Sequence, residues 1–474
     1  MDKICDIDVC TGCGVCVDVC HKQAITLDYG DDFFLHPIID QERCVDCGLC
    51  QKRCPIINYD DSLKHDNIAT YAAWSTNKET YFESATAGLA TEISRYYLSR
   101  GGVVVGCGYD EHLVATHRIG NNEEDIRSFQ KSKYVQSKAT PNLYNDIKKL
   151  LEAGREVFFV GVGCQCYALR HFLKKDYSNL LVCDLVCHGG ASGKLLKAHV
   201  SNIEKRIKQS IHAVTFRGGQ YDCTFTCYDK DNNVIYHKGQ YTDEYFFAFM
   251  KRIIYRPSCY TCHFAGPRRV GDITLADFWG IDPGFLRENG HGKHVINMLM
   301  TNTDKGGKSI GRQPNITKKE RPLSEAVAGI DTLKEQCEKP ENYDEFYQAL
   351  GVGFDKAVHS IYKEHYSQLR TGRIKGLIAA ALGPLYPLIK KALFGGGKIV
   401  ECETFNSINL LLVNTSKADN LMKQLPNVTL KLRDIEEAIS GNDTLSHPTM
   451  KPEAYNELFQ QCKIIAQKKI KKNG

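Results

Sequence analysis

The 474-residue chain has no apolar run reaching the roughly 18 residues of a membrane-spanning helix. Its first residues, MDKICDIDVC, lack the apolar core of a secretory signal. Spanning and secretion are therefore not expected, and the cytoplasm is the expected compartment. One-sided charge is also lacking. Sixty-one basic against 56 acidic residues leave a net charge of +5 with no basic stripe, too little for a nucleic-acid binder. Cysteine, at 21 residues or about 4.4%, falls short of the roughly 8–10% of a disulfide scaffold. Wholesale disorder is excluded by 42% apolar and 25% charged residues. The length exceeds one ordinary domain, so two to four units are expected.

What is present is a cysteine cluster. Nine of the 21 cysteines fall within the first 54 residues. Without a secretory signal, such clustering reads as metal ligation in a reducing compartment. Cys10-x2-Cys13-x2-Cys16-x3-Cys20 is echoed by Cys44-x2-Cys47-x2-Cys50-x3-Cys54-Pro55. Three thiolates at this spacing wrap one cubane, and the fourth cysteine of each run reaches the other cluster. The expected ligands are Cys10, Cys13, Cys16 and Cys54 for one 4Fe–4S cluster, and Cys44, Cys47, Cys50 and Cys20 for the second. Gly12, Gly14 and Gly48 let the backbone turn around the sulfurs. Structural zinc, the alternative, takes four ligands in pairs rather than two interlocked quartets. His21 stands where a proline is expected after the first run. Two adjacent clusters without other local chemistry form an electron wire.

Downstream, residues 61–70 are polar and read as a linker. GVVVGCGYD, EVFFVGV (156–162) and NLLVCDLVC (179–187) have the β-branched content and length of strands. Residues 89–99, 143–154 and 168–175 have helical spacing. The alternation predicts an α/β fold with a mostly parallel sheet, within a multidomain α+β chain. The expected units are a dicluster ferredoxin module (1–60), an α/β core (71–290), and an αβ module completing the core (291–350). A helical apolar and basic connector (351–399) and a second copy of the module (400–474) follow. The duplication rests on an ungapped match of 295–350 to 407–462, with about 23 identities in 56 positions. Each copy reads strand, turn, strand, helix, loop, helix, and an added lobe of this kind packs on its twin or on a partner. Within the connector, residues 373–397 have two readings, a buried helical hairpin or a peripheral anchor on the inner face of a membrane.

The far end of the wire is less explicit. GVGCQC (161–166) follows a strand and opens a helix, where α/β sheets bind cofactors, but a full dinucleotide fingerprint is absent. Cys187-His188-Gly189-Gly190 ends another strand, and Cys259-Tyr-Thr-Cys262 has metal-pair spacing that a zinc half-site would share. KSKYVQS (131–137), FRGG (216–219) and SATAG (84–88) could approach phosphates, though each alone reads equally as a loop.

Taken together, SKYVQS, GVGCQ, DLVCHG and RPSCYTCHFAGPRRVGDITLADFWG resemble the flavin-bearing beta-subunit family of the factor-420 (deazaflavin) hydrogenases and dehydrogenases, over about residues 1–350. The resemblance implies FAD and one further 4Fe–4S cluster in the core. It also implies electron exchange with a ferredoxin-like partner. The implied third-cluster ligands are Cys164, Cys187, Cys259 and Cys262. The implied cofactor-binding residues are Thr86, Gly88, Lys133, Tyr134, Gly161, Gly163, Gln165, His188 and Gly189. Two departures bear on the flavin: Gly163 replaces the family's proline, and Thr86-Ala87-Gly88 has one glycine fewer than its helix entry. Cys107, Cys183, Cys223, Cys227, Cys337, Cys402 and Cys462 read as small buried hydrophobes.

The expected function is an iron–sulfur flavoprotein oxidoreductase. It passes electrons between 4Fe–4S clusters and FAD, and to or from a small organic substrate or a deazaflavin-like carrier. No catalytic residue, substrate or oligomeric state is assigned. The rival is a non-catalytic electron-transfer subunit or scaffold for a partner enzyme, in surface-polysaccharide biosynthesis by analogy with bacterial relatives.

Overall fold

The computed structural model describes residues 1–217, 223–291 and 295–370, with backbone strands at 398–404, 407–413 and 429–431. Two compact units divide at residue 363. The first begins with β1 (Ile25–Tyr29) and β2 (Leu35–Ile39), an antiparallel hairpin between the two cysteine runs. Then come β3 (Ala69–Ser75), β4 (Val103–Tyr109), β5 (Ala115–Gly120), β6 (Lys138–Ala139), β7 (Val157–Val162) and β8 (Leu180–Leu185). A separate antiparallel sheet holds β9 (Ala213–Thr215), β10 (Thr224–Tyr228) and β11 (Val234–Gly239). The chain returns to the main sheet with β12 (Ile273–Asp277), β13 (Asn297–Thr301) and β14 (Ile316–Arg321).

The main sheet has nine strands in the order β14-β3-β13-β12-β8-β7-β4-β5-β6. Its centre, β12-β8-β7-β4, is parallel, as strand–helix alternation predicts. Both flanks are largely antiparallel, so the sheet is mixed rather than mostly parallel. An antiparallel neighbour needs no helical crossover, and β5 follows β4 after a short turn. The central strands read as continuous apolar runs because both faces are covered: Val103, Val105, Val157, Phe159 and Val182 pack on one side, and Val104, Phe158, Leu181 and Ile273 on the other. Helices Leu89–Ser99, Leu143–Glu152 and Gly163–Leu173 supply the covering faces.

Two expectations change on folding. Residues 61–70 form no free tether, since His65 pairs through its backbone with Arg269 and Arg268 contacts Asp61. The turn expected in the first copy of the module is the helix Asp304–Gly311. It starts because Thr303 caps it, its hydroxyl accepting from Gly306 N at 3.0 Å.

In the second unit, β15 (Lys398–Thr404), β16 (Ser407–Val413) and β17 (Thr429–Lys431) form an antiparallel sheet in the order β16-β15-β17. Its register repeats that of β13-β3-β14. Asn297 pairs with Ala73 as Asn409 pairs with Cys402, and Lys318 pairs with Ala73 as Leu430 pairs with Cys402. The repeat thus includes a counterpart of β3, a strand more than 200 residues upstream of β13 that the sequence match does not contain. The connector 373–397 and the second copy's helices lie outside the described residues. Among the described residues no helix is long and apolar enough to cross a membrane.

A buried ion cluster closes the first unit. His199, fully buried on helix Gly193–Ile207, sets Nε2 2.9 Å from Asp243 and Nδ1 2.8 Å from Asp355. Burial alone would lower the imidazole pKa, but the two carboxylates outweigh it and lift it to about 10. An imidazole that titrates near 6.5 when unfolded contributes its full stability below that pH and loses it as pH rises through about 10. His199→Gln should cost about 3–5 kcal/mol, by leaving the buried Asp243 carboxylate without its charge partner. It should also flatten the fall in melting temperature between pH 7 and 10. Calorimetry across that range checks this, and an unchanged slope would count against a charged His199.

Candidate functional site: interlocked cysteine sets at the sheet edge

The N-terminal module places each cysteine run against a short helix, Val15–Asp18 or Leu49–Lys52. Gly14 and Gly48 precede these helices with φ of 86° and 68°, left-handed values that few side chains tolerate. Because the two runs are related in this way, each hands its last cysteine to the other. One cavity is lined by Cys10, Cys13, Cys16 and Cys54, and a second by Cys20, Cys44, Cys47 and Cys50. Cys5 also lines the first. Cys47 is exposed, whereas Cys10, Cys16, Cys50 and Cys54 are buried.

The module is clamped to the core through the backbone of its first run. Tyr144 Oη donates to Cys13 O at 2.7 Å, Gln136 Nε2 to Thr11 O at 3.1 Å and Ser258 Oγ to Cys10 O at 3.1 Å, while Arg256 Nε also bonds Cys10 O. Asp18 accepts from Asn142 N and Tyr144 N at 3.0 and 2.8 Å. Cys13, Cys164 and Cys262 all pack on the same apolar cluster. The first cavity therefore faces the core.

Cys164 follows β7, beginning helix Gly163–Leu173, and Cys187 follows β8; both lie at the carboxyl edge of the parallel strands, where α/β sheets bind ligands. Cys259 and Cys262 sit on the turn after Arg256 and meet them there, each of the four lying within electrostatic reach of others in the set. Gly190 N donates to Cys259 Sγ at 3.3 Å and Phe264 N to Cys262 Sγ at 3.4 Å. The loop beyond Cys262 is fixed by Arg269, which bonds Phe264 O at 2.9 Å, Gly266 O at 3.3 Å and Asp184 at 3.3 Å, all buried. Gly189, at φ 154°, lies under Tyr255; a Cβ there would stand 2.2 Å from the ring, so only glycine fits.

Burial pushes the Cys13 and Cys187 thiols up to about 12 and Cys164 well above its ordinary value. Cys10 is instead drawn down to about 4, chiefly by the Cys5 thiol and, against burial, by His36 and Arg256. Buried thiols grouped this closely favour a cation that displaces their protons. Four thiolates on one zinc at 2.3 Å bonds stand about 3.8 Å apart. Among the described residues no three cysteine sulfurs lie within 4.8 Å of one another. The wider spacing suits a polynuclear iron–sulfur cluster.

The implied cofactor residues divide. Thr86 and Tyr134 join a polar group beside β12: Thr86 Oγ1 bonds Asp277, Arg217 Nη2 donates to Asp277 at 2.6 Å, and Arg217 Nε donates to Tyr134 Oη at 3.2 Å. Gly88 caps helix Leu89–Ser99 nearby, and His188 is exposed at the end of β8. Gly161 and Gly163 shape the turn carrying Cys164. Gln165 is committed locally, since its Oε1 accepts from Val162 N at 3.0 Å and its Nε2 donates to Ser137 at 2.8 Å. Lys133 also turns inward, donating to the carbonyls of Ser128, Gln130 and Lys131 at 2.9, 2.6 and 3.3 Å. These use its three donors, and desolvation brings its pKa down to about 8.

Sequence reasoning missed Arg217, Asp277, Cys5 and Cys337. The first two lie in stretches whose glycines and aromatics drew notice, though a buried ion pair leaves no local pattern. Cys337, read as a buried hydrophobe, is buried and also approaches the carbonyls of His188 and Cys259, at 3.9 and 4.0 Å. Cys183 and Cys227 are buried; Cys107 and Cys223 are partly exposed.

Residues 9–56 match the 4Fe-4S dicluster domain model, and residues 154–313 match the model for the C-terminal region of the coenzyme F420 hydrogenase/dehydrogenase beta subunit. A coenzyme F420-dependent sulfite reductase from Methanocaldococcus jannaschii is 28% identical over 178 residues, 36% of this chain and 26% of that relative. The match thus spans about a quarter of the relative's length. A chain from the xenon-derivatised F420-reducing NiFe hydrogenase complex of Methanosarcina barkeri, 19% identical, superposes with a TM-score of 0.39 over 62% of this chain and 97% of that one. With its interlocked cysteine sets and the strand-edge cysteines of residues 164–262, the chain resembles the beta-subunit family of the coenzyme F420 hydrogenases and dehydrogenases, fused to an N-terminal 4Fe–4S dicluster domain.

Proposed function

We propose that this protein is an iron–sulfur flavoprotein oxidoreductase linking a ferredoxin-like one-electron carrier to a small organic substrate or deazaflavin. The observation that carries this reading is the placement of Cys13 on the same apolar cluster as Cys164 and Cys262, which lines up the dicluster module with a further cysteine set at the sheet edge. When bound, 4Fe–4S clusters supply one-electron transfer, and FAD converts single electrons to hydride chemistry.

The chain's own contribution is placement. Cys10, Cys13, Cys16 and Cys54 would hold the inner cluster. Cys20, Cys44, Cys47 and Cys50 would hold the outer one, whose exposed Cys47 is the side open to a carrier. Cys164, Cys187, Cys259 and Cys262 would hold the third. FAD would lie along the carboxyl edge near Thr86, Gly88, Tyr134, Gly161, Gly163, His188 and Gly189, with Lys133 and Gln165 supporting the loops around it. The Arg217–Asp277 pair gives that edge a fixed dipole.

Anaerobically purified protein should contain about 12 iron atoms, at four per cluster, and Cys259→Ser should lower this to about 8. Cofactor extraction with mass spectrometry should release FAD in both. Iron near 8 in the parent and unchanged in the variant would remove the third cluster; clusters without flavin would favour the non-catalytic electron-transfer role.

A further inference from the structure

Cys5 belongs to neither cysteine run, yet it lines the same cavity as Cys10, Cys13, Cys16 and Cys54 and packs on the apolar cluster that contains Cys54. Its position is built in. Cys10 N donates to Asp6 O at 3.1 Å, folding residues 6–10 back on themselves, and the neighbouring Ile4 is buried against Cys16, Ile25, Cys50 and Cys54. A cubane takes one thiolate per iron, so Cys10, Cys13, Cys16 and Cys54 already complete the set and leave Cys5 with an S–H to donate. The second cavity has no counterpart: its lining contains Cys20, Cys44, Cys47 and Cys50 and no fifth cysteine.

We propose that Cys5 is a positioning residue that donates its single S–H to a ligating sulfur of the inner cluster, on Cys10 or Cys54, and thereby raises the reduction potential of that cluster above that of an otherwise equal site. The inference rests on the 4Fe–4S reading of the first quartet. A donor to a ligand sulfur withdraws electron density and favours the reduced form, which carries one more negative charge, and hydrogen bonds to sulfur are among the determinants of cluster potential. With the inner cluster facing the core, a higher potential there draws electrons inward from the outer one.

The test is an EPR-monitored redox titration of the full chain as purified anaerobically, comparing parent, Cys5→Ala and Cys5→Ser, with iron measured in each. The inner-cluster signal is identified as the one absent from Cys13→Ala. In Cys5→Ala its midpoint should move to more negative potential, with iron content and the outer cluster's midpoint unchanged. Cys5→Ser, whose hydroxyl can still donate, should recover part of the shift. An unmoved inner midpoint in Cys5→Ala overturns the proposal, as does an equal shift in both variants. Loss of about four iron atoms in Cys5→Ala overturns it differently, by making Cys5 a ligand. A parent protein with no cluster iron would instead remove the reading on which the proposal stands.

Discussion

Cys20→Ala should abolish the same EPR signal as Cys47→Ala and spare the signal lost with Cys13→Ala. Cys54→Ala should behave in the converse way. In sequence, Cys20 lies four residues from Cys16 and 24 from Cys44, so local proximity would assign it to the first cluster. The fold assigns it to the other cavity. Helix Val15–Asp18 ends before it, and Cys20 N donates back to Val17 O at 3.2 Å, turning the chain away from Cys10 and Cys13. Ala24 N then donates to Cys20 Sγ at 3.4 Å, holding the sulfur beside Cys44, Cys47 and Cys50. Each substitution should remove or convert one cluster of about four iron atoms. Iron analysis beside EPR reads this, and a Cys20→Ala spectrum matching Cys13→Ala would show that the cavities do not exchange cysteines.

Asp184→Ala should cost about 3–5 kcal/mol, the loss expected when a buried charge is left without its partner. Asp184 is fully buried on β8, accepts from Val270 N at 3.1 Å and Gly271 N at 3.3 Å, and faces the equally buried Arg269 at 3.3 Å. Replacement strands the guanidinium and two amide donors in an apolar setting. It also releases the loop that carries Cys259 and Cys262 to the sheet edge. The expected result is a lowered melting temperature together with loss of third-site iron, while the dicluster module keeps its own. Thermal denaturation and iron content measured on the same preparation check both parts. Asp184→Asn, which keeps a hydrogen-bond acceptor, should lose less. A melting temperature unchanged in Asp184→Ala would mean that the pair does not hold the loop.

How much was legible can be followed residue by residue. Both cysteine runs were, because cluster ligation imposes a short spacing that no other local structure needs. Strands β4, β7 and β8 were legible too, since burial on both faces demands unbroken β-branched runs, and the helices between them announced themselves by apolar period. The helix Asp304–Gly311 was not. Its three glycines, Gly306, Gly307 and Gly311, weaken the helical signal, and only the cap from Thr303 and packing against the sheet outweigh their poor propensity. Lys133, implied by resemblance to be a cofactor-binding residue, has its ammonium enclosed by three carbonyls, an arrangement that no local pattern announces.

The sequence by itself determined the dicluster module and the α/β core, because each rests on contacts or periodicities within a few tens of residues. Tertiary structure alone decided the antiparallel flanks of the sheet, the pairing of Arg217 with Asp277, and the approach of Cys5 to Cys10 and Cys54. It also decided the use of β3 as the strand between β13 and β14, which gives the second copy its matching partner in β15. The reason is physical. Hydrogen-bonded strand neighbours and buried ion pairs are chosen by burial of the whole chain, over separations as large as that between Thr70 and Arg321.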